Sequence, residues 1–188
     1  ELGWYERDAS QTLKFFDLIP QSRSTTVFLP GAGTSVLVDE LLARGHKIIL
    51  NDISDEALNK LRNRTGPDDR LTWLQHDISK PLPDDIPQAD IWIDRAVLHF
   101  LLEEADIEGY FSNLHSEIRQ GGHALLAEFS TMGAPKCAGL ELHRYSIKEM
   151  TQRMGADFEL VKYEDYTYIN PAGDPRPYIY ALYKKHNG

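Results

Sequence analysis

"VFLPGAGTS", residues 27–35, joins an apolar run to a proline, two glycines around one alanine, and two hydroxyl residues. Gly31 and Gly33 permit positive φ angles and let the backbone approach a ligand, while a following helix would present unpaired N–H groups. The stretch therefore predicts a strand-to-helix turn. Such a turn either binds a polar ligand or only joins the two elements, and the glycines alone favour neither reading.

Five apolar runs, including this one, predict the strands of a buried parallel sheet. They do not alternate with polar residues, as strands covered on both faces do not. The runs are TTVFLP (25–30), HKIIL (46–50), LTWLQ (71–75), ADIWID (89–94) and HALLAEF (123–129).

Helical spacing between these runs predicts βαβ alternation with right-handed crossovers. One helix follows Gly33 and ends near Gly45, and a second is capped by Ser54. A third runs from about Glu103 to Gly121-Gly122, and a fourth is capped by Ser146.

The last third of the chain predicts an antiparallel hairpin. Residues 158–168 and 177–185 read as strands, and INPAGDPRP between them contains three prolines and a glycine. A parallel sheet that ends in such a hairpin is an uncommon combination.

Composition restricts the function classes. The 188 residues, 41% hydrophobic, suffice for one domain (1–188), and the net charge of −9 with no basic stripe argues against nucleic acid. One cysteine, Cys137, excludes an internal disulfide and disfavours a thiolate metal site, so we expect no metal. No run is long enough to span a membrane and no signal peptide begins the chain, so we expect a soluble, cytoplasmic protein. Because residue 1 is Glu, we expect that residues once preceded it.

Three uses of the glycine turn can be compared. A phosphate-binding P-loop requires a lysine before its Ser or Thr, but here Thr34-Ser35 follows the second glycine directly. A dinucleotide fingerprint favours a third small residue where this chain has Val36. The remaining use is a nucleoside without a phosphate at that position.

Polar residues at three later strand ends support the nucleoside. Asp52 lies nineteen residues after Gly33, where a carboxylate accepts both ribose hydroxyls, and Asp77 ends the third strand. Asp94 and Arg95 end the fourth. Each aspartate also fits a plain turn or cap, which is the alternative at every one of these positions.

Six stretches of the chain together resemble the class I S-adenosylmethionine-dependent methyltransferases, in particular small bacterial members with one domain. These stretches are GAGTS, NDIS, HDIS, DRAVLHFL, GGHALLAEFS and PKCAGLELHRYS. The resemblance covers nearly the whole chain. It implies an α/β, Rossmann-like three-layer sandwich with a seven-stranded, mostly parallel sheet in the order 3-2-1-4-5-7-6, strand 7 being antiparallel. It also implies a core over 23–188 with residues 1–22 as an N-terminal lid or helix segment.

The resemblance implies that S-adenosylmethionine, or its product S-adenosylhomocysteine, lies along the sheet edge. The methionine part would contact the glycine turn, the ribose and adenine the ends of strands two and three, and the sulfonium the end of strand four. The implied residues are Gly31, Ala32 and Gly33, Asp52 and Ile53, Asp77 and Ile78, and Asp94 and Arg95. One departure is Leu29, which stands where the family usually has an acidic residue that orients the turn.

Catalytic and acceptor residues are predicted from position. His99, five residues after Asp94, is the candidate general base, and Asp94 is the second candidate catalytic residue. A histidine between Leu98 and Phe100 also fits a packed side chain. The candidate acceptor-binding residues are Cys137, Arg144 and Tyr145 beyond the fifth strand, and Trp4 and Tyr5 in the lid. The alternatives are a buried cysteine, a loop that Arg144 and Tyr145 pin to the helix that follows, and core docking of the N-terminal segment.

The acceptor is predicted by exclusion. DRAV stands where methyltransferases of adenine or glutamine amides carry an Asn/Asp-Pro-Pro-aromatic motif, so those acceptors are disfavoured. A small molecule is the first expectation and a protein lysine the second, with a monomer or weak homodimer and no membrane partner. The rival functions are a cofactor-binding module without catalysis, suggested by Leu29, and a nicotinamide-dependent oxidoreductase.

Overall fold

Seven strands form one mixed sheet in the computed structural model, which describes residues 9–22, 24–133, 136–137 and 139–188. The order is β3-β2-β1-β4-β5-β9-β8; β1 to β5 pair in parallel, and β9 is antiparallel to both of its neighbours. With β8 and β9 counted as sixth and seventh, this is the predicted order, which is confirmed. The strands are β1 Thr26–Leu29, β2 Lys47–Asp52, β3 Leu71–Gln75, β4 Ala89–Arg95, β5 Ile118–Phe129, β8 Phe158–Ile169 and β9 Pro175–Lys185.

A small antiparallel pair, β6 Lys136–Cys137 and β7 Leu140–Glu141, lies outside the main sheet. The sequence did not predict it, because two-residue strands carry no periodic signal.

Helices pack on both faces of the sheet. Those in the described residues are α1 Ser10–Phe16, α2 Leu37–Ala43, α3 Asp55–Thr65, α4 Glu104–Glu117 and α5 Ile147–Met154. Both predicted caps are confirmed, since Ser54 Oγ accepts from the Ala57 amide and Ser146 Oγ from the Glu149 amide, each at 3.1 Å. None of the described helices is both long and apolar enough to cross a membrane.

Two apolar layers, one on each face, hold these helices. Phe15, Leu41 and Leu58 of α1, α2 and α3 pack on one face, whereas Leu114 and Met150 of α4 and α5 pack on the other. All five are fully buried. Burial of one such side chain contributes about 1.5–3 kcal/mol.

One predicted boundary is wrong. Helix α4 ends at Glu117, and β5 begins at Ile118, before the glycine pair that was expected to end the helix. The register of β4 and β5 shifts between Ala89 and Ile91, so the extra residues of β5 bulge there. A Cβ on Gly122 would lie 2.6 Å from the Asp90 carbonyl oxygen, which explains why glycine allows the strand to continue.

The N-terminal segment docks on the core over the part that is described. Phe15 stacks on Tyr180 with ring centroids 5.7 Å apart, and Phe16 meets His46 edge-on at 5.6 Å. Trp4 and Tyr5 lie outside the described residues. The division into a segment 1–22 and a core 23–188 stays a prediction.

Candidate functional site

The glycine turn lies at the carboxyl end of β1 and packs tightly on two neighbours. Gly31 has φ +61°, and a Cβ there would lie 2.4 Å from Val97 Cγ2. A Cβ on Gly33 would lie 2.5 Å from that of Ala57 in α3. Both glycines are therefore required for packing, whatever the turn binds.

Asp52, at the end of β2, orients the same turn. Its Oδ2 accepts from the Gly33 amide at 3.2 Å and its Oδ1 from the Ser54 amide at 2.9 Å. Leu29, where the family usually has an acid, is buried in β1. A carboxylate thus holds the turn although position 29 is apolar.

Asp52 also keeps binding capacity. The side chain is half-buried, and each carboxylate oxygen has two lone pairs, of which the described backbone amides use one. The next side chain, Ile53, is 68% exposed. A polar acceptor beside an exposed apolar surface suits a ribose that carries a base.

Asp77 follows β3 and closes a turn of its own. Its Oδ1 accepts from the amide and the hydroxyl of Ser79 at 3.0 and 2.7 Å, and these bonds hold the pKa of Asp77 below its usual range. The side chain is half-buried, whereas that of Ile78 is buried. Of the predicted pair, Asp77 has the more accessible side chain.

Asn113 of α4 fixes this third strand end, a role that the sequence did not reveal. Its Nδ2 donates to the carbonyl oxygens of Ile78 and Lys80, both at 2.8 Å, and its Oδ1 accepts from the Leu82 amide at 3.2 Å. A buried asparagine within an amphipathic helix was the available signal.

The end of β4 turns back on itself. Ala96 has φ +67°, an uncommon conformation for a residue with a side chain, and its amide donates to the Ala127 carbonyl at 2.9 Å. The reversal brings the Val97 and Leu98 amides to the carboxylate of Asp94, each at 3.0 Å. Asp94 is fully buried.

Arg95 points to the hairpin. Its Nε donates to the Tyr180 hydroxyl at 3.4 Å, and its guanidinium carbon lies 4.8 and 5.5 Å from the ring centroids of Tyr178 and Tyr168. The edge beside β4 thus combines one cation with aromatic faces.

His99 is fully buried, and its hydrogen bonds fix its tautomer. The Phe129 amide donates to Nδ1 at 3.0 Å, so in the neutral ring the proton is on Nε2. No described group pairs with Nε2. Burial, with the nearby charge of Arg95, lowers the pKa of His99 to about 3. The structure thus gives no support to His99 as a base, and its catalytic role stays a prediction.

The loop beyond β5 contains the other predicted acceptor contacts. Arg144 donates to the carbonyl oxygens of Thr131 and Gly133 at 3.3 and 2.8 Å, both within the same loop, and its role in acceptor binding stays a prediction. Tyr145 is buried, and its hydroxyl finds no partner in the described part of the chain. Cys137 is placed only by its backbone in β6.

A charge network that the sequence did not reveal joins this loop to α4 and α5. His143 Nε2 lies 2.7 Å from Glu149 Oε2, which also accepts from Arg153 Nε at 2.8 Å. Arg153 binds Glu104 through two further bonds of 2.8 and 2.9 Å.

Comparison with known proteins gives the family. Residues 30–124 match a family model described as a methyltransferase domain. The chain belongs to this family. No curated protein sequence matches it. The resemblance to class I S-adenosylmethionine-dependent methyltransferases is confirmed at the level of family and fold, and so is the prediction of a methyltransferase.

Solved structures share the fold. A S-adenosylmethionine-dependent methyltransferase from Anabaena variabilis ATCC 29413 has a TM-score of 0.77 at 15% identity, over 98% of this chain and 87% of its own. The 1,6-didemethyltoxoflavin-N1-methyltransferase of Burkholderia thailandensis, solved with 1,6-didemethyltoxoflavin and S-adenosylhomocysteine, gives 0.71 at 20% identity over 96% and 78%. The N-methyltransferase NodS from Bradyrhizobium japonicum WM9, in complex with S-adenosylhomocysteine, gives 0.71 at 12% identity over 94% and 84%.

Proposed function

We propose that this methyltransferase domain takes its methyl group from S-adenosylmethionine and transfers it to a small molecule. The observation that carries the proposal is Asp52, a half-buried carboxylate that binds the glycine turn and keeps free lone pairs beside the exposed Ile53. These groups lie at the carboxyl edge of the sheet, where β1 has neighbours on both sides and where open α/β sheets bind ligands.

The chemistry of this edge fits the cofactor. Lone pairs of Asp52 would accept the ribose hydroxyls, and Ile53 would cover one face of the adenine. The half-buried Asp77 would accept from the adenine amino group. The full proposed contact set is Gly31, Ala32, Gly33, Asp52, Ile53, Asp77, Ile78 and Arg95, and the fully buried Asp94 lies behind it.

The protein mainly binds and orients the reactants. When bound, S-adenosylmethionine supplies a methyl group on a sulfonium, which is an excellent leaving group. The chain must then align a nucleophile and exclude water. The proton of the neutral His99 ring is on Nε2, so this nitrogen cannot take a proton from the acceptor. We therefore favour an acceptor whose nucleophilic atom is already unprotonated and needs no general base.

Arg95 and its tyrosines favour a planar acceptor with an anionic or carbonyl oxygen. A guanidinium held against Tyr168 and Tyr178 combines a cation with aromatic surfaces at the strand end nearest the proposed sulfonium position. The Burkholderia neighbour, solved with 1,6-didemethyltoxoflavin, supports a small acceptor over a protein lysine.

Calorimetric titration of S-adenosylhomocysteine tests the site, with NAD as a parallel ligand. We expect micromolar binding by the wild type and a loss of about a hundredfold in Asp52→Ala, since two charge-assisted hydrogen bonds of about 1.5 kcal/mol each disappear. Asp90→Ala is the matched control, because Asp90 accepts from the Thr26 amide at 2.8 Å near the opposite edge. It should leave binding unchanged.

Binding of NAD alone would replace the proposal with an oxidoreductase. S-adenosylhomocysteine binding without methyl transfer to any compound in a screen of planar acceptors would indicate a cofactor-binding module. Equal loss in Asp52→Ala and Asp90→Ala would mean that Asp52 acts only through folding.

A further inference from the structure

Two carboxyl groups, those of Asp94 and Glu128, lie together inside the protein on one face of the sheet. Asp94 pairs in register with Leu126 of β5, so Glu128, two residues further along, points to the same face. Both side chains are fully buried, and their carboxyl groups interact with each other. Two charges at that distance would be very costly without water.

The hydrogen-bond donors are collected at Asp94. Its Oδ1 accepts from the Val97 amide at 3.0 Å, and its Oδ2 accepts from the Leu98 amide at 3.0 Å and from the Tyr110 hydroxyl at 2.6 Å. Tyr110 in turn accepts from Trp92 Nε1 at 3.0 Å, which leaves its own proton for Asp94. Asp94 is therefore the ionised member of the pair.

Glu128 has the surroundings of a protonated acid. Its Oε2 accepts from the backbone amide of His99 at 3.2 Å. The same oxygen lies 3.2 Å from His99 Nδ1, which has no hydrogen to donate because it accepts from the Phe129 amide. No N–H or O–H donor in the described residues reaches Oε1. Two carboxyl groups can hydrogen-bond to each other only if one of them is protonated, and because Asp94 already accepts from three donors, the proton is on Glu128.

The titration agrees with this geometry. Burial, and then the charge of Asp94, raises the pKa of Glu128 well above its ordinary value. The titratable and charged groups that face the pair are Arg95 on β4, His99 after it, Tyr110 on α4 and Tyr145 before α5.

The pair is coupled to the glycine turn through one side chain. Val97, whose amide binds Asp94, lies with its Cγ2 2.4 Å from where a Cβ on Gly31 would be, so it packs directly on the turn. The His99 amide is held by Glu128. The backbone amides of segment 97–99 are thus held by both carboxyl groups, on the buried side of the segment.

We propose that Asp94 and Glu128 share one proton and act as a positioning pair that holds segment 97–99, and through Val97 the glycine turn, in the conformation that binds the cofactor. The pair positions the site without touching the reacting atoms. This inference rests on the proposed function for the cofactor, but the shared proton itself does not.

Unfolding by urea as a function of pH tests the shared proton. The folded state keeps a proton on Glu128 that the unfolded state releases. As the pH rises from the ordinary pKa of a glutamate to the raised pKa of folded Glu128, the folding equilibrium constant should therefore fall by up to tenfold per pH unit. Glu117, a second buried carboxyl with its pKa raised to about 7, is removed first by Glu117→Gln. Four histidines with lowered pKa give a slope of the opposite sign, but only below their ordinary pKa of 6.5: His46, His99, His115 and His123. Above that pH, adding Glu128→Gln should remove the fall of up to tenfold per pH unit that Glu128 contributes. Identical slopes with and without Glu128→Gln would overturn the shared proton.

S-adenosylhomocysteine binding at pH 7 tests the positioning. Glu128→Gln replaces the acid with an amide that donates to Asp94 and accepts from the His99 amide, so its affinity should stay within about twofold of wild type. Glu128→Ala leaves Asp94 without that donor and should lose about tenfold or more. Equal affinities in the two variants would overturn the positioning role.

The outcomes separate the two proposals. A wild type that binds no S-adenosylhomocysteine at any pH refutes the proposed function and the positioning role with it. The slope of stability against pH would still decide whether the proton is shared. If Glu128→Ala does not fold, the wild-type slope and the Glu128→Gln affinity decide, and a loss in Glu128→Gln at pH 7 overturns the positioning role.

Discussion

Replacing Gly31 by alanine should separate the backbone cost of the glycine turn from its packing cost. Gly31 has φ +61°, and a left-handed alanine costs about 1–2 kcal/mol. The new Cβ would also lie 2.4 Å from Val97 Cγ2, more than 1 Å inside the roughly 3.5–4.0 Å at which carbon atoms pack. Overpacking of this kind costs about 1–3 kcal/mol, so Gly31→Ala should lose about 2–5 kcal/mol in all.

Gly45→Ala is the matched control for the backbone term. Gly45 has φ +86°, and no described atom lies within 4 Å of where its Cβ would be. It should therefore lose only the left-handed cost of about 1–2 kcal/mol. Urea unfolding with an unchanged m-value measures each loss.

Val97→Ala should partly rescue Gly31→Ala. The double variant should lose about 1–3 kcal/mol less than the sum of the two single variants, because the clashing methyl group is gone. Rescue should be absent with Gly45→Ala. Equal losses for Gly31→Ala and Gly45→Ala, or strict additivity with Val97→Ala, would refute the packing of Val97 on the turn.

Two further predictions concern the helices. Glu117→Gln should stabilise the protein by up to about 3 kcal/mol above pH 7 and have little effect near pH 4. The reason is that burial raises the pKa of Glu117 to about 7, so the wild type loses stability as the pH rises through that value. Urea unfolding at pH 4 and 8 measures the difference, and an effect that does not depend on pH would contradict the prediction. Asn113→Ala should lose about 2–3 kcal/mol by removing three hydrogen bonds to residues 78–82. Exposed Asn59 is the control, with a loss below about 0.5 kcal/mol in thermal unfolding; similar losses for both asparagines would show that the three bonds contribute little.

The fold was predictable because each strand buried on both faces leaves a continuous apolar run. Gly45, Ser54 and Ser146 then marked helix ends through local backbone chemistry. The glycine pair at 121–122 led to a wrong prediction of the end of α4, because the same residues that end a helix also permit a bulge where two strands approach closely. Local sequence does not distinguish these two uses.

The partners of the candidate site were harder to predict. Glu128 lies within the apolar run HALLAEF, and an acid in such a run signals a buried partner, but nothing in the sequence identifies that partner as Asp94. Ala96 takes a conformation that favours glycine, so the reversal that brings the Val97 and Leu98 amides to Asp94 has no sequence signal. Long-range pairing and uncommon backbone conformations are properties of the folded chain.

The three aspartates at the ends of β2, β3 and β4 therefore have different roles. Asp52 and Asp77 are each followed by Ile-Ser, and the amide two residues on donates to each carboxylate, so both side chains stay at the edge, half-buried. Asp94 is followed by Arg-Ala, and the left-handed Ala96 folds the chain over its carboxylate, which is fully buried. We expect the first two to meet the cofactor directly, whereas Asp94 acts from within, through the segment that packs on the turn.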